Sequence, residues 1–324
     1  MKRRSFITNT AGALASLYFL NLSCKQEASD TTSTTSDIME PWFKLSLAQW
    51  SLNEGIKNGS MDPFDFAKVA KELGFTGLEY VNQLYHPWLD ENFPDDRMAG
   101  VPELANRLKA ASDATGMDNL ILMIDAGKEL AMNSAAERQE SIAIHHAWID
   151  AAATLGCHSV RINLFGDGSD EEVAQHATNS WQQLCDYAQP KNVHVLVENH
   201  GWQSSNPEWL IGVLKAVDRD NAGLLPDFGN FCVKRKDGEK WGECVEEYPD
   251  IYEGVKLMMP YAKGVSAKSY GFDADGNESK LDYEKLLNIV KDSGYIGYIG
   301  VEFEGGADEK AGITATKDLL LKLA

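Results

Sequence analysis

The chain is short of positive charge. Its 30 lysines and arginines face 49 aspartates and glutamates, for a formal net charge of −19. Such a field repels a phosphate backbone, which argues against nucleic acid as a partner and leaves neutral or cationic small molecules as easier ligands. Cysteine is scarce, with 5 in 324 residues. Beyond Cys24, the four cysteines Cys157, Cys185, Cys232 and Cys244 show no tight spacing and no zinc-like pairing, so two or more buried free thiols are the expectation, although an oxidising compartment permits disulfides. No apolar run is long enough for a confident membrane span. A glycine-rich phosphate loop is missing too: the first strand-like segment runs into Trp50-Ser51-Leu52-Asn53. Nor is there a dense lysine and arginine clamp for phosphate groups.

What is present begins with an address. Lys2-Arg3-Arg4 is a basic start, and Phe6 to Leu22 is a mostly apolar run. Arg3-Arg4-Ser5-Phe6-Ile7 is similar to a twin-arginine export signal, and Leu22-Ser23-Cys24 to the end of a lipobox, although Asn21 departs from its usual aliphatic residue. Residues 1–23 therefore read as an export signal and 24–40 as a polar, flexible tether. A periplasmic or cell-envelope location follows as an expectation, with a possible lipid anchor at Cys24.

From residue 41 to 324, strand-like and helix-like segments alternate. Strands are expected at 44–50, 76–81, 119–124, 158–163, 194–198, 222–227, 264–268 and 298–303. Helices are expected at 63–73, 101–115, 134–155, 170–188, 207–217, near 250–262, at 283–293 and at 309–323. Several end at a glycine that relieves the left-handed turn after a helix. Eight strand–helix units in this length fit a single closed (β/α)8 TIM barrel of α/β class, with an open doubly wound sheet as the alternative.

In such barrels the chemistry lies where the strands end. Glu79 lies late in strand two, and Asp125 follows strand three. Arg161 and Asn163 close strand four; Glu198, Asn199 and His200 close strand five. Asp227 closes strand six and Asn230 follows it, Ser266 and Lys268 lie on strand seven, and Glu302 and Glu304 end strand eight. Side chains alternate along a strand, so Glu198 and His200 share a face, as do Glu302 and Glu304. If Glu198, Asp227 and Glu302 converge, their repulsion calls for a divalent cation or a lysine. Oxygen ligands suit Mg2+ or Mn2+; a carboxylate site with an imidazole also admits Zn2+ or Co2+. Trp50 stands ready to stack on a sugar ring or to fill core. Arg161 either bridges carboxylates or meets substrate. His145-His146, on a long helix, reads as packing, and Asp273-Ala274-Asp275-Gly276-Asn277 as a turn.

At Leu47-Ala48-Gln49-Trp50-Ser51, Gly77-Leu78-Glu79-Tyr80, Val197-Glu198-Asn199-His200-Gly201, Pro226-Asp227-Phe228-Gly229-Asn230, Ala267-Lys268-Ser269 and Val301-Glu302-Phe303-Glu304-Gly305, the sequence resembles the xylose isomerase-like barrel superfamily of sugar phosphate isomerases and epimerases. The resemblance implies a metal held by Glu198, Asp227, the residue at 266 and Glu302, with Glu198 and Glu302 shuttling a proton beside a carbonyl. Lys268 joins them as a candidate catalytic group. Trp50, Glu79, Arg161, Asn163, Asn199, His200, Asn230 and Glu304 are candidate substrate contacts. Position 266 departs from the family pattern: a serine stands where the motif carries histidine, which leaves three protein ligands plus water, a further ligand in Ser266 or His200, or a weak or absent metal as the alternatives. The implied activity is isomerisation or epimerisation of a sugar or keto-sugar through an enediolate. The alternatives are β-elimination from a 3-keto-glycoside and a non-catalytic sugar-binding lipoprotein. A nuclease like the superfamily's endonuclease branch is disfavoured by the acidic charge.

Overall fold

The expected export signal, Cys24 and the tether lie outside the residues described by the computed structural model, which covers 41–306 and 308–324. Within them, eight parallel strands curl into the TIM barrel. They are β1 (Lys44–Ala48), β2 (Gly77–Val81), β3 (Asp118–Met123), β4 (Ser159–Ile162), β5 (His194–Glu198), β6 (Ala222–Leu225), β7 (Val265–Ser269) and β8 (Tyr298–Phe303). The order β6-β5-β4-β3-β2-β1-β8-β7 is that of a ring unrolled at one seam. Parallel strands buried on both faces read as continuous apolar runs, which is why Val195-Leu196-Val197 shows no alternation.

The seam lies between β6 and β7. Strand six was expected to run to Asp227 and stops at Leu225. Pro226 has no N–H to give a ladder, so pairing continues only as single bridges. Ser266 N–H donates to the Pro226 carbonyl at 2.9 Å, and Phe228 N–H to the Ser266 carbonyl at 3.1 Å. These bonds close the ring and set Asp227 opposite Ser266.

Helix bounds follow the local chemistry. Val101–Thr115 and Ala135–Leu155 end at Gly116 and Gly156, whose φ values of 68° and 84° suit a residue without Cβ. Asp170–Ala188 starts from a capping box in which Ser169 and Glu172 satisfy each other's backbone N–H. His145 is buried and bonded to its own helix through the Ser141 carbonyl, in keeping with packing. The Asp273 carboxylate holds a turn by accepting from Asp275 and Asn277 N–H.

One element was not foreseen. After β6 an antiparallel hairpin, Cys232–Arg235 with Cys244–Glu247, rises from the barrel. Cys232 and Cys244 are joined by a disulfide across it, and Cys157 and Cys185 are free and buried, in keeping with the expectation of two or more buried free thiols. Hairpin pairing brings together two cysteines that a linear reading finds 12 residues apart.

Candidate active site

The β5 end shows how the site is built. Glu198 is the last residue of its strand and is 1% exposed. Asn199 follows with its side chain wholly committed. Its Nδ2 donates to the carbonyls of Asp227 and Asn230 at 3.0 and 3.1 Å, and its Oδ1 accepts from Asp227 N–H at 2.7 Å. Asn199 therefore ties the β5 turn to the β6 turn, and none of its polar atoms is left for a substrate. The Asp227 carboxylate is shaped by its own turn: Oδ1 accepts from the N–H groups of Gly229 and Asn230, both at 2.8 Å. Asn230 Nδ2 in turn donates to Glu198 Oε1 at 2.9 Å.

Glu198, Asp227 and Glu302 converge as the rim reading anticipated. Each offers a carboxylate oxygen, and these oxygens lie within 4.8 Å of one another, all buried. Among the described residues this is the cluster that offers three ligand atoms to an ion, and His200 is not in it. Ser266 stands where the resemblance implies a histidine. Its hydroxyl is 2.6 Å from Asp227 Oδ2 and 3.0 Å from Glu302 Oε2, and its single proton serves one carboxylate at a time.

Two buried cations offset part of the charge of the three acids. Lys268 Nζ donates to Glu302 Oε1 at 2.9 Å and to Glu304 Oε2 at 3.2 Å. The side chain of Arg161 is 2% exposed and pairs with Asp125. Its Nε also lies 2.9 Å from Glu198 Oε2, an ion pair not aligned as a hydrogen bond, so that oxygen has no donor. Arg161 thus bridges the Asp125 and Glu198 carboxylates. Asn163 extends this network: it donates to Asp125 at 3.0 Å and is 2.9 Å from His200 Nδ1. Trp50 donates to Glu304 from the opposite rim.

Burial dominates the protonation of the cluster. It raises Asp227 well above the carboxylate range, with Lys268 opposing and Glu198 and Glu302 reinforcing. Glu198 and Glu302 are also raised by burial, against Arg161 and Lys268 for the first and Lys268 for the second. Burial works against the Lys268 charge, yet Glu302, Asp227, Glu304 and Glu198 outweigh it and keep it an ammonium. His200 is lowered to about 3 by burial and by Arg161, so its imidazole is neutral. Glu79 lies apart from the cluster: it is 2% exposed, with its Oε1 held by Ser46 at 2.6 Å.

Linear reading missed one side chain here. Trp241, at the tip of the hairpin, has its ring centroid 5.0 Å from that of His200 and 5.5 Å from that of Phe165. The available signal was a Lys236-Asp237-Gly238 turn between two cysteines.

Comparison with known proteins agrees with this architecture. A family model described as xylose isomerase-like TIM barrel matches residues 67–323. Among solved structures, a 3-keto-D-glucoside 4-epimerase from E. coli aligns with a TM-score of 0.63 at 14% identity, over 86% of this chain and 99% of that one. A xylose isomerase-like TIM barrel protein from Mycobacterium smegmatis, in complex with magnesium, aligns with a TM-score of 0.58 at 16% identity, over 87% of this chain and 96% of that one. At these identities the likeness is one of fold. The alpha subunit of a 3'-dehydrocarminate deglycosidase from a Microbacterium species is 40% identical over 53 residues, 16% of this chain and 15% of that protein's length.

Proposed function

The chain belongs to the xylose isomerase-like TIM barrel family, and from that premise we propose that it is a sugar-modifying enzyme that removes a proton next to a carbonyl of a keto-sugar. The observation that carries the reading is the meeting of Glu198, Asp227 and Glu302 within 4.8 Å, braced by Arg161 and Lys268.

The residues fit a hard divalent cation. Three carboxylates supply oxygen ligands, and the Glu198 Oε2 atom is buried without a donor. Glu198, Asp227 and Glu302 would hold the ion, with the Ser266 hydroxyl as a weak neutral neighbour. Bound there, Mg2+ or Mn2+ would supply positive charge where a substrate oxygen becomes negative.

The chain's own groups account for the proton. Glu198 and Glu302 are raised by burial toward the range in which a carboxylate is an effective general base. They enter from β5 and β8, so each serves a different face of a substrate carbon. One accepts the proton and the other returns it from the opposite side, which inverts the centre. Asn230 and Arg161 fix Glu198, and Lys268 fixes Glu302 and offers an ammonium to the developing oxyanion. Buried as they are, these groups need little reorganisation.

A second outcome starts from the same step. If the sugar is a 3-keto-glycoside, removal of the C2 proton leaves an electron pair that expels the group on C1. The C1–oxygen bond breaks, a C1–C2 double bond forms, and the leaving oxygen takes up a proton. The deglycosidase segment favours this reading. Purified protein with Mn2+ in D2O, given a panel of keto-sugars and 3-keto-glycosides, is expected to place deuterium on the carbon beside the carbonyl, or to release the aglycone with an unsaturated sugar. Glu302→Gln abolishes either. No exchange and no release across the panel defeats the proposal.

We further propose that the protein works outside the cytoplasm. The basic and apolar N-terminus and the Cys232–Cys244 disulfide both support an oxidising compartment. Recovery of the protein in the cytoplasmic fraction, with both thiols open to alkylation, would refute this.

A further inference from the structure

The hairpin between β6 and the following helix is larger than barrel closure requires, and it carries an apolar side chain into the open. Trp241 is 49% exposed, and with Val245 it makes up half of the four large exposed hydrophobic residues among those described. Exposure alone means little, since single apolar residues are common on surfaces. This indole, however, is held in place. The Phe165 ring meets it edge-on at an interplanar angle of 81°, and the His200 ring lies against it. Lys240 beside it rests its ammonium 4.1 Å from the Phe165 centroid and pairs with Glu129. Arg235 bonds across the loop to the Gly242 carbonyl at 2.6 Å. Cys232–Cys244 clamps the base.

One of the two supporting rings, His200, is a candidate site residue. Phe165 lies in the loop after β4, and His200 is two residues beyond Glu198. In the order β6-β5-β4-β3-β2-β1-β8-β7, β4 and β5 lie across the ring from β8 and β1. Trp50 and Glu304 stand on that far side. The mouth thus has an indole on each side, with the carboxylates beneath. Trp50 is tied to Glu304, whereas Trp241 is half-exposed, with the Arg235 guanidinium and the Lys240 ammonium each 5.8 Å from its ring centroid.

We propose that Trp241 is a specificity-determining platform for the group beyond the glycosidic bond, so that the preferred substrate is a glycoside whose second ring stacks on the indole rather than a free monosaccharide. A flat apolar face with a polar edge suits a sugar or aryl ring. The disulfide serves the platform by holding the hairpin against Phe165 and His200. A cleft of about 710 Å3, lined in part by Trp202, Trp209 and Val233, lies along the hairpin's flank.

This inference rests on the keto-sugar reading, and its test separates the two. Two compounds are compared: 3-keto-D-glucose and its p-nitrophenyl β-glycoside. Trp241→Ala is expected to weaken binding and raise KM for the glycoside about tenfold, and to leave the free sugar within about twofold. Trp241→Phe restores most of the loss, and the Cys232→Ser/Cys244→Ser variant reproduces it. Equal losses for both compounds would assign Trp241 to mere support of His200 and overturn the platform; no loss for either would overturn it too. If the wild-type protein turns over neither compound, the keto-sugar reading fails, and calorimetric binding of the same pair to wild type and Trp241→Ala still decides the platform.

Discussion

Glu79 illustrates what a single buried acid does in such a barrel. One oxygen is held by Ser46, and the other has no partner among the described residues. Burial, with the nearby Glu302 and Glu198 charges, lifts it from 4.5 to about 7 despite the Ser46 bond. Gly300 makes room for it, since a Cβ there would sit 2.5 Å from Glu79 Oε1. The raised value means the folded state keeps a proton that the unfolded chain gives up. Stability contributed at this position therefore falls as pH rises from about 4.5 to about 7 and is flat above. Glu79→Gln removes that slope, so the variant gains on wild type by roughly 1–3 kcal/mol at pH 8 relative to pH 5, read from urea midpoints. An unchanged pH slope would show that Glu79 ionises freely. Asn199 is the second case. Asn199→Ala leaves the Asp227 N–H and carbonyl unpaired, while the Asn230 carbonyl keeps the Ser205 hydroxyl; the cost is about 2–4 kcal/mol, and the Asp227 turn loosens. Loss of both thermal stability and Mn2+ affinity is expected; a variant that binds Mn2+ as wild type does would reduce Asn199 to a packing role.

Among the elements, the strands were the most legible, because a parallel strand buried on both faces leaves an unbroken apolar run. Strands one and six each end two residues early: the first at Ala48, where a 3-10 turn over Gln49–Leu52 begins, and the sixth at Leu225, before Pro226. The hairpin was not legible, because its pairing joins residues whose local sequence is polar and unpatterned. Its disulfide closes a short loop, so the chain-entropy contribution is at most about 3 kcal/mol. Cys232→Ser/Cys244→Ser is thus expected to lower the global melting temperature only modestly while making the 232–247 segment exchange its amides much faster. Uniform loss of protection throughout the barrel would contradict the hairpin's independence.

At the scale of the whole molecule, an excess of acid encloses a site that is itself acidic. Three carboxylates sharing one pocket, with two cations beside them, leave a residual negative charge that a divalent ion relieves. Because the ion binds the folded state, Mn2+ at 100 times its dissociation constant is expected to stabilise by about 2.7 kcal/mol, visible as a rise in melting temperature that EDTA reverses. Glu302→Gln should reduce the shift to near zero. A wild-type melting temperature indifferent to Mn2+, Mg2+, Zn2+ and Co2+ would assign the neutralisation to Lys268 and Arg161 alone.

The sequence by itself determined the eight-unit alternation, the family and the acids at the strand ends, because period and position along a strand are local properties. It also exposed Ser266 as a departure. Only the tertiary structure decided what each polar group does. Ser266 sits between Asp227 and Glu302, 39 and 36 residues away in the chain. Arg161 turns out to bridge two acids, Asn199 to brace two turns, and His200 to stay neutral beside Trp241. Charge balance and hydrogen-bond partnership belong to neighbours in space, and in a closed barrel those neighbours come from strands far apart in the chain.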